Sequence, residues 1–144
     1  MHIYTDMTAK EYLKQYEYIV KRIHRLEEEY REELAKIDAV RSLSDNDGMP
    51  HGSGISKPTE DKAIRLADKA MRLVDERLKA VEIRQEIFDT IKGIDGVEGD
   101  VLYERYINLK SWDDVCRTIC YGWAQTHRYH RRALEIVSER IGIE

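Results

Sequence analysis

The sequence predicts an all-α protein: a long N-terminal helical hairpin, coiled-coil-like, followed by a C-terminal module of short helices. Three observations carry this. Apolar residues recur at steps of three and four along two long stretches, and no stretch alternates at the two-residue period of a strand. Charged residues make up 36% of the 144 positions and aromatics only 8%, which favours long solvated helices over a thick core. The last third then reads as a short helix, a tight turn and a longer basic helix.

The first helix opens at Thr8. Thr8 and Glu11 have the spacing of a capping box, and Met7 is placed to staple onto Tyr12. Tyr12, Tyr16, Ile19, Ile23, Leu26, Tyr30, Leu34 and Ile37 follow as one apolar stripe. At the usual rise this helix is roughly 50 Å long, ending near Arg41 or Ser42. Residues 42–58 hold three glycines, four serines and both prolines, the composition of a flexible loop. A second helix is expected from Thr59 to near Gly93, with Glu60 and Asp61 set against its dipole. Its inward stripe is read as Ala63, Ala67, Ala70, Val74, Leu78, Val81 and Phe88, with Leu66, Leu73, Ile87 and Ile91 beside it. Tyrosines of the first stripe would interdigitate with alanines of the second. Two amphipathic helices alone bury little surface, so a homodimer through the hairpin is expected, whether the stripes pair within or between chains.

The domain boundary falls at Gly93, giving a hairpin over 1–93 and a second domain over 94–144. Gly93, Gly96 and Gly99 read as a hinge, and a short helix is expected over Val101–Ile107. Ser111 is a natural N-cap, with Asp114 completing an approximate capping box. Trp112, Val115, Cys116 and Ile119 line one face of the helix that follows. Cys120, Tyr121 and Gly122 form the turn. The last helix, 123–140, would present Thr126, Tyr129, Ala133, Leu134 and Val137 inward. By subtraction Trp123, Ala124, Gln125, His127, Arg128, His130, Arg131 and Arg132 face outward. No acid occurs in this helix before Glu135. That is the layout of a helix-turn-helix whose second helix enters the DNA major groove. Arg suits guanine edges and Gln suits adenine edges, while later arginines more often reach phosphate.

The stretch from Val101 to Val137 resembles region 4 of RNA polymerase sigma factors. Leu102, Arg105, Tyr106, Ser111, Val115, Cys116, Ala133 and Leu134 take the places of that pattern. The whole layout resembles small phage and prophage proteins of Gram-positive bacteria, namely the ArpU/RinA-type regulators of late phage genes, many of which have no assigned function. The resemblance implies a sequence-specific, DNA-binding transcription regulator in the cytoplasm of a bacterial host. It implies base contacts from Trp123, Gln125, His127 and Arg128, and DNA-backbone contacts from Ser111, Arg131 and Arg132. Double-stranded DNA would be the partner, joined in a sigma-like variant by RNA polymerase. Two positions depart from the pattern: Cys120 stands where the family usually has Gly, and Gly122 replaces the usual Ser/Thr cap.

Other chemistries have little foothold. Net charge is −4, so this is neither a bulk nucleic-acid coat nor a polybasic membrane binder. No apolar run approaches the roughly 18 residues of a bilayer span. Two cysteines one helical turn apart make no disulfide framework, and a reducing compartment is expected. Cys116, Cys120, His127 and His130 follow no familiar zinc spacing, so no metal or other cofactor is expected. No phosphate loop, nucleophile elbow or His-Glu metal motif appears, which argues against an enzyme. The alternative function is a protein-interaction module that binds RNA polymerase or another host protein through the hairpin, without autonomous DNA binding.

Overall fold

Helix α1 (Ala9–Asp45) starts where its capping box closes. Glu11 N–H donates to Thr8 Oγ1 and Thr8 N–H donates to Glu11 Oε2, both at 3.2 Å, satisfying two amides that lack intrahelical partners. Four more helices follow: α2 (Lys57–Ile91), α3 (Gly96–Leu102, continued by a π-helical turn over Tyr103–Ile107), α4 (Trp112–Ile119) and α5 (Trp123–Ile141). The computed structural model describes residues 7–45 and 57–142, and no strand occurs among them. No described helix is long and apolar enough to cross a membrane. The loop expected at 42–58 lies outside the described residues over 46–56, and both flanking helices reach further into it than their expected ends.

Packing divides the chain at Val20 and Lys79 rather than at Gly93. One unit holds the chain up to Val20 and from Lys79 onward; the other is Lys21–Leu78. The interior of the first is a single cluster of Ala9, Tyr12, Leu13, Ile87, Ile91, Leu102, Tyr106, Ile107, Ala133 and Val137. The start of α1, the end of α2, α3 with its π-helical turn, and α5 therefore share one core. Each fully buried aliphatic side chain in it contributes about 1.5–3 kcal/mol. Met7 packs on the same cluster as Tyr12, consistent with a staple at the head of α1. The Tyr12 hydroxyl meets Thr90 Oγ1 at 2.8 Å, one of the contacts that satisfy this buried phenol.

The glycines after α2 build a tight connection, not a hinge. Gly93 and Gly96 adopt φ of 81° and 80°, a region that costs an L side chain strain. At Gly99 a Cβ would overlap the carbonyl oxygen of Ile94. Ile94 N–H donates to Ile91 O at 3.1 Å. Arg140, near the end of α5, donates through Nη1 to the carbonyls of Thr90 and Lys92, each at 2.8 Å. Those carbonyls belong to the C-terminal end of α2, where a cation is favoured by the helix dipole. A connection pinned at both sides in this way has little freedom to bend.

In the second unit α1 and α2 run antiparallel, as the order of their ion pairs requires. Arg22 meets Glu76 at 3.2 Å, Arg77 meets Glu27 at 2.9 Å and Lys69 meets Glu33 at 3.5 Å. Such pairs set register more than stability, because solvent screens them. Ile23 and Leu73 are buried here, while Leu34 is exposed. The face of α2 is not the expected one. Leu73 is buried, but Ala63, Ala67, Val74 and Leu78, placed on the inward stripe by spacing, are exposed. Two apolar rows compete on this helix, and the row containing the larger Leu66 and Leu73 turns toward α1.

Candidate nucleic-acid interface

The frame of the site is set by three local devices. Ser111 Oγ accepts from Asp114 N–H at 3.2 Å and starts α4. Asp114 does not reach back to Ser111; its carboxylate pairs with Arg117 at 3.2 Å, so only half of the capping box forms. Cys120 ends α4 in the left-handed region, with φ 63° and ψ 38°. A non-glycine residue there costs about 1–2 kcal/mol, and Cys120 takes up the conformation because the turn requires it. Gly122 then caps α5 without a side chain, and Thr126 N–H donates to its carbonyl at 2.9 Å.

Before α4, the chain leaves the π-helical turn through Leu109, which also has positive φ (56°). Asn108 N–H donates to Tyr103 O at 3.0 Å, the five-residue step of a π turn. Arg105 donates to Lys110 O at 2.7 Å and holds its guanidinium 5.1 Å from the centre of the Trp112 ring. Lys110 in turn pairs with Glu104 at 2.6 Å, which holds that carboxyl below the usual range, and lies 3.2 Å from Thr118 Oγ1. These contacts fix the entry to α4.

Helix α5 buries Thr126, His130, Ala133 and Val137 and exposes Trp123, Ala124, Arg128, Arg131 and Arg132. Its first turn holds no acid. Trp123 is 57% exposed at the N-terminal end, where the helix dipole presents partial positive charge. Arg128 lies 3.3 Å from the half-buried Gln125, as Nη1–H to Oε1. Among the described residues no carboxylate pairs with Arg128 or Arg131, whereas Arg132 meets Glu98 at 3.3 Å. The exposed side of α5 is thus cationic with an aromatic at its tip.

His130 does not face outward. It is buried, and its Nε2 lies 2.7 Å from the Tyr106 hydroxyl. Burial, then the positive neighbours His127, Lys10, Arg105 and Lys14, depress its pKa to about 4, so the ring is neutral near pH 7. The phenol of Tyr106 is pushed up by the same burial. His127 is half-buried against two indoles, with ring centres 4.6 Å from Trp112 and 4.2 Å from Trp123, tilted by 44° and 52°. Its Nε2 is buried without a hydrogen-bond partner, and its pKa is lowered by burial, Arg131 and Lys10. This Nε2 is shut off from a base edge.

No protein-family model, no curated protein and no solved structure matches this chain.

The residues expected at the interface therefore separate into three groups. Trp123 and Arg131 stand open on α5; Arg128, exposed, holds Gln125, and Arg132 holds Glu98; His127 and His130 lie inward. Ser111 is exposed and occupied as a cap. Spacing places Trp112 on the inner face of α4, and only the resemblance names Arg105 and Tyr106; their contacts with His127, His130 and Lys110, which hold the inner side of α5 and the head of α4, were not foreseen. The signal available for their arrangement was composition: two tryptophans, two histidines and three tyrosines within 25 residues of a sparsely aromatic chain. Cys116 is half-buried and Cys120 exposed. Among the described residues no group of three or more His, Cys, Asp or Glu is placed to hold a metal ion.

Proposed function

We propose that this chain is a sequence-specific, double-stranded-DNA-binding transcription regulator, in which α4, the turn and α5 act as a sigma region 4-like helix-turn-helix. The observation that carries the reading is the open face of α5. Trp123, Arg128 and Arg131 stand exposed beyond a first turn with no acid, on a helix whose inner side is locked. A cationic helix with a rigid back suits insertion into the major groove, where an arginine fork reads guanine and an indole edge meets a thymine methyl. Arg131 and Arg132 would neutralise phosphates, Arg132 exchanging its Glu98 partner for one. His127 then serves as a positioning residue that steers the Trp123 ring, rather than as a base contact.

The test is recovery of bound duplexes from a random DNA library by the wild type and by Arg128→Ala. The expected result is one enriched motif for the wild type, relaxed at a single base position in the variant. Each lost bidentate contact should cost about 1–3 kcal/mol at that position. No enrichment at low salt would overturn autonomous DNA reading. A protein-interaction module is the second reading, favoured by the large apolar side chains exposed on α2.

A further inference from the structure

Helix α2 carries two apolar rows, and α1 covers only one of them. Leu73 is buried, and Leu66, seven residues before it on the same row, is half-buried. Ile64, Met71 and Leu78 recur at the same seven-residue step but are 60%, 67% and 60% exposed. Val74, 53% exposed, lies between them, with Ala67 one heptad earlier and Val81, 67% exposed, one heptad later on the helix. Residues two apart lie about 200° around a helix, so the open row points nearly opposite to the covered one. No conformation of α1 covers both.

Spacings of 7, 3, 4 and 3 from Ile64 to Val81 are those of the a and d positions of a coiled coil. In that register the e positions are Asp68, Asp75 and Glu82, all acidic, while the g positions preceding Ile64, Met71 and Leu78 are Ala63, Ala70 and Arg77, so Arg77 is the one cation among them. In a parallel pair, g of one helix faces the following e of the other, so Arg77 meets Glu82 of a second copy. In an antiparallel pair, e faces e, setting acid against acid. Both halves of the complementary charge lie on one helix, which identifies the fitting partner as the same helix. Arg77 already holds Glu27, yet its side chain is 56% exposed and its guanidinium has donors to spare.

We infer that the outer row of α2 is a homodimer interface in which two copies of this helix pair in parallel through Ile64, Met71, Val74 and Leu78. The inference stands apart from the DNA-binding reading, since it concerns association without DNA. An isologous contact of this kind closes on itself as a pair.

Sedimentation equilibrium of the full chain without DNA tests it. The wild type is expected at twice the 17.0 kDa chain mass at micromolar concentration. Val74→Glu with Leu78→Glu should give the single mass, with helical circular dichroism unchanged, because both positions are exposed. A wild type of single mass, or a dimer that survives the double variant, overturns the interface. Cysteine cross-linking in a Cys116→Ser, Cys120→Ser background reads orientation even where the glutamates disturb folding. Ile64→Cys and Leu78→Cys should each link to their own kind in separate samples. Linking only when the two variants are mixed overturns the parallel arrangement.

Discussion

His130 links the interior of the C-terminal helices to pH. In the folded chain its pKa is about 4, against an ordinary value of 6.5. Burial is the main cause, and the Tyr106 hydroxyl at 2.7 Å fixes the ring where water would otherwise hydrate its cation. Between those two values the unfolded chain carries one more proton than the folded chain. Stability is therefore fully present above about pH 6.5 and falls as pH falls toward 4. At 1.36 kcal/mol per pH unit the loss reaches about 3 kcal/mol. His127, lowered for the same reason, adds in the same sense. Glu104 and Glu27, whose pKa values are held below the usual 4.5, contribute only at more acidic pH. Urea unfolding at several pH values should show the slope in the wild type and a much flatter profile in His130→Gln, which keeps a hydrogen-bond partner for Tyr106 but does not titrate. An undiminished slope in that variant would assign the effect elsewhere.

At the scale of elements, the connection after α2 is where one methyl group matters most. Gly99 sits in α3 with its Cα against the Ile94 carbonyl, so Gly99→Ala forces backbone apart rather than a flexible side chain. Overpacking of this kind typically costs 1–3 kcal/mol, and more where backbone must shift. Thermal unfolding should register Gly99→Ala as clearly destabilising although alanine is the better helix former, whereas Gly122→Ala, with open space around it, should lose only the N-cap preference, at most about 1 kcal/mol. An unchanged melting temperature for Gly99→Ala would mean that the α2–α3 connection yields freely. The contrast marks what was legible in the sequence. Thr8 with Glu11, and Ser111 as a cap, were legible because caps depend on residues three apart. The left-handed conformation of Cys120 was foreshadowed by its place in the turn. The role of Gly99 was not, because it depends on a carbonyl that only the folded turn brings close. The buried face of α2 was also hidden, since two apolar rows share one heptad spacing and only contact with α1 selects between them. Subtraction places His130 outward, because the partner that draws it inward, Tyr106, lies 24 residues away on another helix.

For the whole molecule, charge and association combine into one measurable quantity. Lys110–Leu134 carries five basic and two acidic residues, a net +3, so the remainder of this −4 chain is at −7. On the proposed DNA-binding reading, attraction to the duplex would be confined to this one segment and opposed by the rest, so non-specific affinity would be weak and specific affinity would rest on a few phosphate contacts. If Arg131 and Arg132 neutralise one phosphate each, a single copy gives a slope of about −2 in log affinity against log salt. Two copies paired through α2 and bound to two half-sites give about −4. Fluorescence anisotropy on the motif recovered by the wild type should therefore show the steeper slope for the wild type. The Val74→Glu, Leu78→Glu double variant should show about half of it, on top of a large loss of affinity as the second half-site is released. Equal slopes in the two proteins would uncouple DNA binding from the α2 interface. A half-slope in both would mean that a single copy binds, whatever its association in free solution. Separating the two outcomes requires only that salt and protein concentration be varied independently, because the first acts on phosphate contacts and the second on the pairing of α2.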